Sequence, residues 1–230
     1  MAYALRIPCV TAHFFPQTAE NMLKLCRLAG IEARLPESAT CCGLPYFEKG
    51  ELKTAKSIGE YNLTVAGNDD QVCLDVKCKH TFEFHYPKIF NNTVSHNATL
   101  QMVKQIKGID FILDKLNIDK IKNIQGNYFF IKECCQTGNG FDYIHTMTKV
   151  NWQLPFMRLT CCGAGSSMPH ADKSLSDKMA LALIDEFTAS GASAMVFEDD
   201  ICRKHVENVA SSRQITIQTF HIIDIIANAL

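Results

Sequence analysis

The chain has 230 residues, 47% of them apolar and 20% charged, enough for one large core or two small ones. A formal net charge of -1, with both signs mixed along the chain, gives no footing for a nucleic-acid or anionic-membrane partner. No run approaches the roughly 18 apolar residues of a membrane span, and MAYALRIPCVTAHFF has no secretory cleavage pattern, so a cytoplasmic protein is expected.

The first half reads as alternating strand and helix. Ala4–Val10 is a short apolar run that contains Cys9. Thr18–Ala29 carries Met22, Leu23, Leu25, Cys26, Leu28 and Ala29 on a helical period, closed by Gly30. Ile31–Leu35 follows as a strand, then a Cys-Cys-Gly turn, then a helix over 47–66 closed by Gly67. Gln71–Val76 is a strand ending before Cys78, Lys79–Phe90 a helix interrupted by Pro87, and Leu100–Leu116 an apolar segment completing the half. Asn117–Gly126, polar and lysine-rich, reads as a linker, dividing the chain into domains 1–120 and 121–230.

The second half repeats the order. Tyr128–Ile131 is a strand before Cys134, and Met157–Leu159 a strand before the second Cys-Cys-Gly. Asp172–Ala189 is an amphipathic helix, Ala194–Phe197 a strand, Ile201–Ala210 a helix, Ile215–Ile217 a strand and His221–Leu230 a terminal helix. Such alternation predicts an α/β fold of two tandem, pseudo-symmetric Rossmann-like halves, each with a parallel sheet. The cysteines fall at or just after the carboxyl ends of predicted strands, where open parallel sheets place ligands.

Eleven cysteines in a chain expected to be cytoplasmic call for an explanation other than structural disulfides. Random placement would give roughly half of one adjacent pair; the chain has Cys41–Cys42, Cys134–Cys135 and Cys161–Cys162. Two of these sit in the same tetrapeptide, Thr40–Gly43 and Thr160–Gly163. The candidate ligands are Cys9, Cys41, Cys42 and Cys78 in one half and Cys134, Cys161, Cys162 and Cys202 in the other, with Cys135 as the alternative to Cys134. Soft thiolates in this number select zinc, copper(I) or an iron–sulfur cluster. Gly43 and Gly163 permit the sharp turn that lets two consecutive thiolates face one centre.

In the first half 31 residues separate Cys9 from Cys41 and 35 separate Cys42 from Cys78. These motifs and spacings resemble the cysteine-rich CCG domain family, to which heterodisulfide reductase contributes one of its chains. The length, with LPESATCCG, CKHTFEFHYP, FILDKL and HIIDIIANAL, fits the lactate-utilisation protein A group of that family best. The resemblance implies an iron–sulfur protein, with [4Fe–4S] the expected cluster and zinc the alternative at one site. It implies an electron-transfer subunit of a complex oxidising L-lactate or a related 2-hydroxy acid to pyruvate, with the other subunits as partners. The chain carries no flavin or nicotinamide motif, so lactate turnover by it alone is not expected. The family motif ends Cys-x-x-Cys; here Thr81 and His205 stand at the last position, so each site lacks a fifth cysteine. Noncubane clusters of the heterodisulfide reductase kind use that ligand, whereas four thiolates suffice for a cubane or for zinc.

Cys26, on a helix's apolar face, and Cys73, inside a strand, read as core, with Cys73 a spare ligand by its nearness to Cys78. His13, His80, His205 and His221 lie near the motifs and read more readily as surface or hydrogen-bonded side chains than as ligands. The Gly163–Ser167 turn frames the cysteines, and Asp172 reads as a helix cap. Two further functions compete with electron transfer: a cluster-based thiol/disulfide reductase subunit, and a structural zinc-binding scaffold.

Overall fold

The structure, a computed structural model, describes residues 2–36, 38–67, 69–116, 118–121, 123–132, 147–156, 161–165 and 168–230. The chain divides into two compact units, Met1–Leu116 and Asn117–Leu230. Among the described residues no helix is long and apolar enough to cross a membrane.

The first unit is built on four parallel strands, β1 (Tyr3–Arg6), β2 (Ala33–Arg34), β3 (Gln71–Cys73) and β4 (Ile106–Lys107), in the order β2-β1-β3-β4. Registers are Tyr3 with Ala33, Arg6 with Cys73, and Val72 with Lys107. The order reverses between β1 and β3, which opens a crevice at their carboxyl ends. Helices α1 (Cys9–Phe14), α2 (Pro16–Leu28), α3 (Leu44–Glu48), α4 (Leu52–Ala66) and α5 (Val76–His80) connect the strands. After α5 come a π-helical turn (Thr81–His85), α6 (Tyr86–Ile89), α7 (His96–Gln105) and α8 (Asp110–Leu113). One core cluster packs Leu44, Leu63, Cys73, Phe82, Tyr86, Phe90 and Met102, and includes Cys42 and Cys78.

The second unit repeats the plan with β5 (Gly126–Ile131), β6 (Val150–Gln153), β7 (Ala194–Phe197) and β8 (Thr219–His221), parallel and ordered β6-β5-β7-β8. Its described helices are α9 (Ile118–Ile121), α10 (Met168–Ala171), α11 (Lys173–Ser190), α12 (Asp200–Ser212) and α13 (Ile222–Ala229). Phe129, Ile131, Leu183, Ile184, Phe197 and Val206 form its core, together with Cys162 and Cys202. The α/β fold of two parallel-sheet halves is thus the observed one.

Several boundaries differ from the sequence expectation. The helix expected over 47–66 is two, because the chain turns at Gly50 with φ +74° between α3 and α4. The helix around Pro87 starts earlier, at Val76, and runs past the proline. It does so because the Tyr86 N–H reaches back five residues to Thr81, widening the turn where the proline ring would otherwise meet a carbonyl. Leu100–Leu116 holds a strand, β4, between two helices, and the expected linker contains α9. The last strand is β8, not Ile215–Ile217; those two isoleucines pack instead as partly buried side chains against the core. The strand expected at 157–159 lies outside the described residues.

Candidate functional site

In the first unit the crevice between β1 and β3 collects all four candidate cysteines. β1 ends at Arg6, and Ile7-Pro8 lead into Cys9, the first residue of α1. β3 ends at Cys73, and Asp75 then caps α5, its carboxylate accepting from the N–H of Lys77 (2.7 Å) and of Cys78 (3.1 Å). That cap puts Cys78 on the first turn of a helix aimed at the crevice. Cys41 and Cys42 arrive on the loop after β2, which turns at Gly43 with φ +89° straight into α3. One cleft is lined by Arg6, Pro8, Cys9, Cys41, Cys42 and Cys78.

The four sulfurs are in contact as a chain. Cys9 and Cys41 are 4.0 Å apart, Cys41 is hydrogen-bonded to Cys42, and Cys42 to Cys78, which also meets Cys73. Hydrogen bonds from Cys42 and Cys9, and from the Gly43 N–H at 3.4 Å, pull the Cys41 thiol down to about 3. Its partners are pushed up: Cys9 by its bond to Cys41, Cys42 by its bond to Cys41, Cys78 by its bonds to Cys42 and Cys73 and by burial. Cys9 is exposed, Cys41 half-buried, and Cys42 and Cys78 buried.

A polar floor supports the paired cysteines. Asn62 on α4 donates to the Cys41 carbonyl (2.9 Å) and to the Tyr86 hydroxyl (3.2 Å), and that hydroxyl donates to the Cys42 carbonyl (3.0 Å). Burial pushes the Tyr86 hydroxyl's ionisation up, so it stays a donor. Arg6 completes the floor, donating to Gln71 and Asn62.

The second unit repeats the arrangement where it is described. Gly163 turns with φ +83°, its N–H meets the Cys161 sulfur at 3.4 Å, and the Ala164 N–H meets the Cys162 sulfur at 3.4 Å. Asp199 caps α12 by accepting from the Cys202 N–H at 2.8 Å, as Asp75 does for Cys78. The Cys162 and Cys202 sulfurs are 2.8 Å apart. Cys134 and Cys135, the candidates for the remaining ligand, lie outside the described residues, as do Ser166 and Ser167 of the glycine turn.

Thr81 and His205, which stand where a fifth cysteine would fall, have structural employment. The Thr81 hydroxyl donates to the Lys77 carbonyl at 2.8 Å and is fully buried. His205 Nε2 lies 3.1 Å from the Ser176 hydroxyl, which donates to the Gly163 carbonyl at 2.9 Å, so it braces the turn from behind. His221 caps α13: its Nδ1 accepts from the Ile223 N–H, and its Nε2 is 3.1 Å from the Glu198 carbonyl. His80 stacks on Phe84 at 4.3 Å, and burial holds it below its ordinary value. Exposed His13 meets Phe14 edge-on. Cys26 is core, its thiol pushed up to about 11 by burial.

The helix caps and the polar floor escaped the sequence reading. The caps Asp75 and Asp199 precede Cys78 and Cys202 by the same three residues, an Asp-x-x-Cys repeat visible in the chain. Arg6 was signalled only as a lone charge in an otherwise apolar strand.

The donor set of the first unit, four thiol sulfurs in one cleft, suits a soft metal ion or an iron–sulfur cluster. Among the described residues no group of three or more His, Cys, Asp or Glu side chains already surrounds one point as metal ligands, so binding would draw the sulfurs into a new arrangement. Binding also needs thiolates, and Cys9, Cys42 and Cys78 are held protonated well above the ordinary thiol range. Those protons must leave, so lowering the pH opposes loading. Zn²⁺ affinity is expected to fall at least about tenfold per unit between about pH 8 and pH 6. Chelator competition at each pH measures this, and a flat profile would exclude the sulfurs as ligands.

Residues 3–82 and 127–207 match the CCG model, described as a cysteine-rich domain, which is more than half of the chain. The chain is 21% identical over 241 aligned positions to "Lactate utilization protein A 2" of Bacillus cereus, covering 100% of this chain and 99% of that one. It is equally similar to "Lactate utilization protein A 1" of Bacillus anthracis. To "Lactate utilization protein A" of Halalkalibacterium halodurans it is 20% identical, over 98% of this chain and 96% of that one. With a matched copy in each unit, and each copy's Cys-Cys-Gly turn beside a cysteine at the start of an aspartate-capped helix, the chain belongs to the cysteine-rich CCG domain family.

Proposed function

We propose that this chain is an iron–sulfur electron-transfer subunit of a complex that oxidises L-lactate, or a related 2-hydroxy acid, to pyruvate. The observation that carries the reading is the convergence of Cys9, Cys41, Cys42 and Cys78 at the β1/β3 crevice, in a chain matched end to end by proteins named for lactate utilisation. These four would hold one [4Fe–4S] cluster, and Cys134, Cys161, Cys162 and Cys202 a second. Strand register favours Cys134 over Cys135. Arg6 pairs with Cys73, five residues before Cys78, and Ile131 pairs with Phe197, five residues before Cys202; Cys9 and Cys134 each lie three residues beyond the first of these.

A bound cluster would supply one-electron transfer. The chain's own residues supply the rest. Asp75 and Asp199 fix the helices that present Cys78 and Cys202, and the N–H groups of Gly43, Gly163 and Ala164 stabilise negative sulfur. Buried Cys42 and Cys78 exclude water from the inner side. The partner subunits would carry the chemistry on the 2-hydroxy acid. Structural zinc in one unit is the second reading, supported by the donor set: four thiol sulfurs in one cleft are also a complete set for tetrahedral zinc.

The test is iron, zinc and acid-labile sulfide per chain after anaerobic purification, paired with growth of a deletion strain on lactate. The expected result is about eight irons with matching sulfide and loss of growth on lactate. Zinc without sulfide would overturn the electron-transfer reading, and undiminished growth would overturn the substrate.

A further inference from the structure

We propose that Arg6 is the built-in counter-charge of the first centre, strengthening its hold on an anionic tetrathiolate metal group and raising that group's reduction potential. This rests on the four cysteines being ligands, as proposed above.

Arg6 closes β1 beneath the cleft and is 4% exposed. Its Nε donates to Gln71 Oε1 at 2.8 Å, one terminal nitrogen to Asn62 Oδ1 at 2.9 Å, and the other to the Asn62 carbonyl at 3.4 Å. Its guanidinium lies 5.7 Å from the centre of the Phe82 ring. Every one of these partners is neutral, and among the described residues no carboxylate forms an ion pair with it. A guanidinium stays charged in a protein, and a buried charge without an opposite charge is strongly disfavoured. Arg6 lines the same cleft as Cys9, Cys41, Cys42 and Cys78, and the ionisable groups acting on it are Cys73, Tyr86 and Cys78. Tyr86 is excluded as an anion because its hydroxyl donates to the Cys42 carbonyl. Thiol sulfur is what remains, and Cys78 belongs to the quartet.

A tetrathiolate around a divalent ion, or around an oxidised [4Fe–4S] core, carries a net double negative charge. That is the charge a fixed cation at this depth would offset, and one-electron reduction adds to it. A nearby positive charge therefore favours the reduced form. The second unit makes the contrast internal to the chain. Register sets Ile131 where the first unit has Arg6, Met195 where it has Gln71, and Phe197 where it has Cys73. All three are apolar and buried in the second unit's core. Two centres with the same ligand pattern thus rest on unlike floors, and the first is the easier to reduce.

The test uses the full chain, purified anaerobically, with Arg6→Met, Arg6→Gln and Arg6→Lys. Arg6→Gln keeps amide donors for Gln71 and Asn62 without the charge, so it stands in should Arg6→Met fail to fold. On metal-free protein, Zn²⁺ alone is the probe, in chelator competition. The neutral variants are expected to bind one of two equivalents at least tenfold more weakly, with Arg6→Lys within a few-fold of wild type. On iron-loaded protein, a potentiometric titration followed by electron paramagnetic resonance should show one centre shifted tenfold toward the oxidised form, which is 59 mV for one electron. A merely structural Arg6 would cost thermal stability equally with and without Zn²⁺ and leave affinity unchanged; that result overturns the proposal. A chain that binds zinc tightly but never iron sinks the electron-transfer reading, while the Zn²⁺ comparison still decides the role of Arg6.

Discussion

The double variant Cys41→Ser, Cys42→Ser is expected to lose half of the metal held by the wild-type chain and all of that in the first unit. A serine hydroxyl does not ionise near neutral pH and is a hard oxygen donor, so neither position can replace a soft thiolate. The two residues are also the middle of the sulfur chain, each in contact with an outer cysteine as well as with the other. Removing them leaves Cys9 and Cys78 with no sulfur between them. Where the metal contributes to folding, its loss takes that contribution with it, so the first unit should also unfold at lower temperature. Metal per chain is the deciding measurement, with Cys26→Ser as the control that keeps full content, since Cys26 is buried in α2 and lines no part of the cleft. Unchanged metal in the double variant would exclude the pair as ligands.

Gly163→Ala is expected to damage the second unit far more than Gly43→Ala damages the first, although the tetrapeptides are identical. Both glycines have positive φ, +83° and +89°, which costs a side-chain-bearing residue roughly 1–2 kcal/mol. The surroundings differ. A methyl at 163 would sit 2.6 Å from the Ser176 carbonyl oxygen and 3.0 Å from its Cα, both backbone atoms of α11. A methyl at 43 would meet only Ile58 and Phe47 side chains, the nearest at 3.4 Å. Forcing α11 away adds roughly 1–3 kcal/mol, so Gly163→Ala should destabilise its unit by about 2–5 kcal/mol and disturb Cys161 and Cys162 directly. Gly43→Ala should cost about 1–2 kcal/mol. Denaturant unfolding of the two variants checks the order, and equal losses would show that α11 yields easily.

What the sequence made legible were the features with a strong local cause. Helix α2 and its closing Gly30, strand β7 and the positive-φ glycine after each cysteine pair follow from periodicity or from a conformation that glycine alone takes easily. Strand β4 was hidden because Ile106-Lys107 is two residues long and continues the apolar spacing of α7. Strand β6 was hidden because Val150-Asn-Trp-Gln alternates too briefly to stand out, and it forms one edge of its sheet. The site was legible as a set of cysteines, since spacing and pairing are properties of the chain. Its floor was not. Arg6, Asn62, Gln71 and Tyr86 come from four separate elements, and no local pattern links them; only the β1–β3 register and the packing of α4 under the crevice bring them together.

The graded exposure of the four sulfurs separates reach from reactivity at the crevice of the first unit. Cys9 faces solvent on the first residue of α1, Cys41 is half covered, and Cys42 and Cys78 are sealed behind them. An oxidant or alkylating reagent arriving from water reaches Cys9 first, but the sulfur that meets it as a thiolate is half-covered Cys41, whose thiol is held down while that of Cys9 is pushed up.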